Sequence, residues 1–107
     1  MLHVAAHTDG ASADYYLSRI LEGAPFSLHP FYTLSELLTL AQRYTLDLVY
    51  LGTTQYEEDN VMRFVETVRS IKQHTYLAIL PTILYHPKPN DNTIVAAYEN
   101  GAEEVLH

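Results

Sequence analysis

Along this chain, short apolar runs alternate with stretches whose apolar residues recur every three or four positions. That alternation predicts strands joined by crossover helices. The first run, Leu2 to Ala6, leads into the turn-forming His7-Thr8-Asp9-Gly10. Ser12 or Asp14 is placed to cap a helix with Tyr16, Leu17, Ile20 and Leu21 on one face, and Gly23 with Pro25 closes it. Phe26 to Tyr32 predicts a second strand. Pro30 within it lacks an N–H for a central ladder and so predicts an edge position. Thr33-Leu34-Ser35-Glu36 has the form of a capping box. The helix it opens runs to about Tyr44 and turns Leu34, Leu37, Leu38 and Ala41 inward.

Leu46-Asp47-Leu48-Val49-Tyr50-Leu51 is nearly all apolar, as a central strand covered on both faces must be. An acidic loop, Glu57-Glu58-Asp59, precedes an amphipathic helix with Val61, Phe64, Val65, Val68 and Ile71 at 3–4 spacing. Pro81 to Tyr85 predicts a fourth strand, and Pro87-Lys88-Pro89-Asn90-Asp91 a loop. Asn92 or Thr93 caps the next helix, which carries Ile94, Ala97 and Tyr98 and closes at Gly101. Val105-Leu106 begins a fifth strand. Right-handed crossovers then bring every strand's C-terminal end to one edge, where such sheets carry their sites.

Composition narrows the picture. The 107 residues suffice for one domain, and at 48% apolar they predict a folded core rather than a disordered tail. No apolar run approaches the ~20 residues of a membrane span, and no secretory signal pattern opens the chain. With no cysteine, disulfides and thiolate chemistry are excluded, and the cytoplasm is the expected compartment. Thirteen acids against six bases give a formal charge of −7. The bases are scattered, so direct nucleic-acid binding, which needs clustered cations, is not expected.

Three segments carry a likeness to a known family. Asp47-Leu48-Val49-Tyr50-Leu51 looks like a strand that delivers a phospho-accepting aspartate, and Asp59-Asn60 like an Asp-Gly step before a third helix. Asn100-Gly101-Ala102-Glu103-Glu104-Val105-Leu106 looks like the Gly-Ala-acid-acid entry to a fifth strand. Together with the element order, these resemble the receiver domain of two-component response regulators over essentially the whole chain. The resemblance implies an α/β fold, a doubly wound parallel five-stranded sheet of receiver or flavodoxin-like type, with the fifth helix missing. It also implies that residues 1–107 are the N-terminal module of a longer signalling protein.

The family's reactive positions are altered. Gly52 stands where the resemblance places the phosphorylated aspartate. Its acidic pair aligns with Ala6-His7, or with Thr8-Asp9 in the shifted register, and its hydroxyl residue with His86. Its lysine falls just beyond His107, and its switch aromatic on Val105 or Leu106. Phosphoryl transfer needs an oxygen nucleophile and a cation held by carboxylates. The expectation is a degenerate pocket of Gly52, His7, Thr8, Asp9 and His86, with no catalytic residue, no cofactor and no resident metal. Function then falls to contact with another signalling protein, with an output domain in the same chain, or with a second copy. Tyr85, Tyr98, Glu103 and Glu104 are the candidate interaction face.

Other chemistries are weaker. His7 and His86, near Asp9 and the Glu57-Glu58-Asp59 loop, could form a zinc or small-ligand sensor at the C-terminal edge, but no pair has an established zinc spacing. A flavodoxin-like cofactor site needs a phosphate-cradling loop, and His7-Thr8-Asp9-Gly10-Ala11-Ser12 offers one glycine. A Ser12, His86 and Asp91 triad has no spacing to support it.

Overall fold

A computed structural model describes residues 1–8, 13–53, 58–86 and 89–106, with only the backbone path for 13–16 and 58–60. The order is β1 (Leu2–Thr8), α1 (Ala13–Ile20), β2 (Phe26–Pro30), α2 (Leu34–Arg43), β3 (Leu48–Gly52), α3 (Glu58–Gln73), β4 (Thr82–Tyr85), α4 (Asp91–Glu99) and β5 (Glu104–Leu106). All strands are parallel, in the order β2-β1-β3-β4-β5. The expected fold class is the one observed. β3 is the central strand and is buried throughout, and Pro30 does end an edge strand.

Alternation along the strands divides the core in two. Ala5, Val49, Leu51 and Leu84 face α2, α3 and α4 and meet Leu37, Val65, Val68, Ile71 and Ala97. Val4, Ala6, Leu48 and Tyr50 face the other way, against Leu17 of α1. Four helices accompany the five strands among the described residues. The helix absent from the five-helix pattern is the one that would follow β5, as expected.

Several boundaries differ from the sequence reading. α3 begins at Glu58, so Glu58, Asp59 and Asn60 lie in its first turn rather than in a loop before it. Acidic side chains are favoured there by the helix dipole, which lets the helix extend past its apolar stripe. α4 is capped by Asn90, not by Asn92 or Thr93; the Thr93 N–H donates to Asn90 Oδ1 at 2.8 Å. The Asn90 backbone is extended and Thr93 is buried, which leaves Asn90 as the residue able to serve the orphan donor. The capping box at Thr33 forms with one change. Glu36 N–H donates to Thr33 Oγ1 at 3.1 Å, while the Thr33 hydroxyl donates back to Glu36 Oε1. Ser12, Glu57, Pro87, Lys88 and His107 lie outside the described residues.

At the outer corner of the sheet, His3 of β1 and His29 of β2 are diagonal neighbours on one face. Their Nδ1 and Nε2 atoms stand 3.0 Å apart. Tyr44, at the end of α2, stacks on both rings, with centroids 4.1 Å from His29 and 5.3 Å from His3. Arg43 lies 5.9 Å from the Tyr44 ring centre, and Asp47 Oδ2 accepts the His3 N–H at 2.8 Å. Burial, and then the neighbouring His3, hold the His29 imidazolium below the usual histidine value of 6.5. The folded state therefore resists the proton that the unfolded chain accepts. This stabilisation is complete above about pH 6.5 and is lost as pH falls through the lowered value. Thermal melts between about pH 7 and about pH 5 should show a steeper loss of Tm for wild type than for His29→Gln. Parallel curves for the two proteins would contradict the assignment.

Candidate functional site

The parallel register lays Thr8, Gly52, Tyr85 and Leu106 side by side across the C-terminal edge of the sheet. One step inward run His7, Leu51, Leu84 and Val105. One step outward, Thr53 N–H donates to Tyr85 O at 3.1 Å and His86 N–H to Leu106 O at 3.0 Å. Thr53 and His86 are both buried. The segments named from the sequence thus do meet at one edge.

The side chains do not all meet in one pocket. Gly52 follows Tyr50 on the α1 face of β3, and Thr8 shares that face by alternation with Val4 and Ala6. A Cβ at Gly52 would stand 2.7 Å from Tyr50 Cε1 and 2.9 Å from its hydroxyl oxygen. Same-face residues on a strand are only ~7 Å apart. A tyrosine ring can therefore lie along the strand over the next same-face position, provided that position is bare. Glycine at 52 is what lets the Tyr50 ring, fully buried, lie there.

His7 is on the opposite face. Its Nδ1–H donates to Phe31 O at 3.0 Å, and its ring stacks on Phe64 at 5.1 Å between Phe31 and Tyr32. It fastens β1 to the β2–α2 connection and α3. His86 is 2% exposed at the end of β4. Asp9 lies outside the described residues. Among the described residues, no group of three His, Asp or Glu side chains is arranged to hold a metal ion.

The four candidate interface residues are dispersed as well. Tyr85 is half-buried on the α1 face beside Ile83 and Tyr50. Tyr98, 45% exposed on α4, accepts the Val105 N–H on its hydroxyl oxygen at 3.2 Å. Glu103 is held by Lys72 Nζ at 2.6 Å and accepts the Thr82 N–H, whereas Glu104 is exposed. The residues that sequence reasoning passed over are Tyr50, placed only within the apolar run of the central strand, and Lys72, counted only among the scattered bases. A groove of about 260 Å³ between the β2–α2 connection and α3 was also unforeseen; Tyr32 and Arg63 line it.

No protein-family model matches the chain, and a search of the curated proteins finds no match. Solved structures do match. A CheY-like protein (tadZ) from Pseudomonas aeruginosa superposes with a TM-score of 0.77 at 16% identity, covering 100% of this chain and 87% of its own. The Vibrio cholerae chemotaxis protein CheY4 gives 0.70 at 19% identity, covering 99% and 85%. A response regulator from Thermotoga maritima gives 0.68 at 14% identity, covering 99% and 84%. At such identities the likeness is one of fold, and the fold of this chain is that of the response-regulator receiver (CheY-like) domains.

Proposed function

We propose that this is a receiver-like signalling domain that acts without phosphorylation, through contact with another signalling protein or with an output domain of its own chain. In this reading it catalyses no reaction and operates in the cytoplasm, as the N-terminal module of a longer protein, alone or as a homodimer. No helix among the described residues is long and apolar enough to cross a membrane.

The observation that carries the reading is the Tyr50 ring lying over Gly52 at the end of the central strand. An acyl phosphate requires a carboxylate oxygen that can attack in line, and a divalent cation to hold the phosphoryl oxygens. The described row Thr8, Gly52, Tyr85 and Leu106 contains hydroxyl groups but no carboxylate. A hydroxyl supplies none of the charge a hard divalent cation needs from its ligands. With the reactive position filled by a ring, what this fold retains is its surface.

The test is an amide NMR spectrum recorded with and without Mg²⁺ and beryllofluoride, which mimics an aspartyl phosphate. The resonances of Thr8, Gly52, Thr53 and His86 should not move. Saturable shifts at those residues, or hydroxylamine-labile incorporation of label from a small phosphodonor into this chain, would overturn the reading.

A further inference from the structure

We propose that Asn100 is a site of self-deamidation whose rate is set by opening of the joint between α4 and β5, so that an opening of this corner is written permanently into the chain. This site is independent of the signalling reading above.

Asn100-Gly101 is the one Asn-Gly step in the chain. Deamidation at such a step needs no enzyme. The Gly101 nitrogen gives up its proton to a base in solution and attacks Cγ of Asn100. A succinimide ring closes as the Cγ–Nδ2 bond breaks and ammonia leaves. Water then opens the ring. Attack at the Cγ carbonyl leaves aspartate, and attack at the main-chain carbonyl leaves isoaspartate, with the backbone rerouted through Cβ. Glycine makes the step fast because no side chain shields its nitrogen. The other asparagines precede valine, aspartate and threonine, whose side chains do shield it.

The fold requires glycine at 101 for a separate reason. Asn100 ends α4, and the next two residues complete a Schellman motif. Gly101 N–H donates to Tyr98 O and Ala102 N–H to Ala97 O, each at 3.0 Å. Gly101 has φ +102°, and a Cβ there would meet Lys72 Cγ at 2.8 Å. A side chain that slowed the reaction would therefore strain the joint.

The same motif blocks the reaction while it is formed. Ring closure needs Cβ of Asn100 to eclipse the Gly101 nitrogen about the Cα–C bond. With φ −90° and ψ 3°, the backbone nitrogen of Asn100 eclipses it instead. Asn100 Nδ2–H donates to Ala96 O at 2.7 Å, which anchors the side-chain amide on the helix. The Gly101 N–H is committed to Tyr98 O, which opposes loss of its proton. Rotating ψ into line swings Gly101 off Tyr98 and Ala102 off Ala97, so the reactive geometry belongs to the opened joint.

Either product keeps the joint from re-forming as it was. Aspartate has no Nδ2–H for Ala96 O and places a negative charge at a helix C-terminus, where the dipole disfavours it. Isoaspartate lengthens the main chain just ahead of Glu103, whose carboxylate holds Lys72 and the Thr82 N–H.

The test holds the whole chain in mildly alkaline buffer, with and without unfolding urea, and follows Asn100 by peptide mapping and mass spectrometry. Conversion should be rapid in urea and at least about a hundredfold slower in the folded protein. Urea well below the unfolding midpoint should raise the native rate with a shallower slope than global unfolding has. Lys72→Met loosens the joint without touching the Asn-Gly step. It should raise the native rate about thirtyfold and leave the rate in urea unchanged. Four results would overturn the gated site: equal rates in the two states, no conversion in the unfolded chain, a native rate with the slope of global unfolding, or one unmoved by Lys72→Met. The urea series on the wild type decides even if the variant folds poorly.

Discussion

Placing aspartate at position 52 should destabilise the domain by about 3 kcal/mol or more and leave it unable to accept a phosphoryl group. The new Cβ would be 2.7 Å from the Tyr50 ring. The ring belongs to the buried cluster of Val4, Ala6, Leu17 and Leu48, so it cannot swing out without abandoning that cluster. Forcing atoms into a filled core costs roughly 1–3 kcal/mol, and burying a polar group without partners adds a comparable penalty. Tyr50→Leu removes the obstruction. The double variant Tyr50→Leu/Gly52→Asp should therefore be more stable than the sum of the single changes implies, with a coupling of about 1 kcal/mol or more. Urea denaturation of the four proteins measures this. Additive effects, or a Gly52→Asp protein within about 0.5 kcal/mol of wild type, would mean that the ring yields freely.

Lys72→Met should cost about 2–3 kcal/mol although it preserves the length of the side chain. All three ammonium donors are used: on Ala78 O at 3.2 Å, Leu80 O at 2.7 Å and Glu103 Oε1 at 2.6 Å. The ammonium thus closes the α3–β4 connection and ties it to the entry of β5. The Lys72 side chain is only 13% exposed, so water replaces it poorly at the two carbonyls. Glu103 is 48% exposed and can rehydrate, which keeps the cost below that of breaking a fully buried pair. Gly101 belongs to the same joint. It adopts φ +102°, and a Cβ there would press on Lys72 Cγ at 2.8 Å. The midpoint of denaturation reports the effect. A loss below about 0.5 kcal/mol would place Lys72 among ordinary surface lysines.

The fold was legible because its signals are local and agree with one another. The apolar run at β3, the proline in β2 and the capping box at Thr33 each act within a few residues. Asn90 was passed over because a cap depends on which residue turns extended just ahead of the helix. Two later residues, Asn92 and Thr93, were chemically as suitable. The site was less legible for a different reason. That His7 would bond Phe31 and stack on Phe64 follows from which face of β1 it occupies, and that depends on a register set by residues far along the chain. The same is true of His3 with His29 and of Lys72 with Glu103, separated by 26 and 31 positions. Tyr50 and Gly52 are two residues apart, yet a single strand pattern does not say which way a ring lies.

The strand order has a consequence for how the protein is made. β1 leaves the ribosome first but ends up between two strands, β2 and β3, that are synthesised after it. Once β2 has emerged, β1, α1 and β2 can assemble as a parallel unit, with one flank of β1 still open. That flank waits for Leu48 to Gly52 to seal it. Asp47, just ahead of them, both donates to His3 O and accepts the His3 N–H, so it can start the docking. Until then the nascent chain presents a half-paired apolar strand, the kind of edge that chaperones capture and that neighbouring nascent chains can extend.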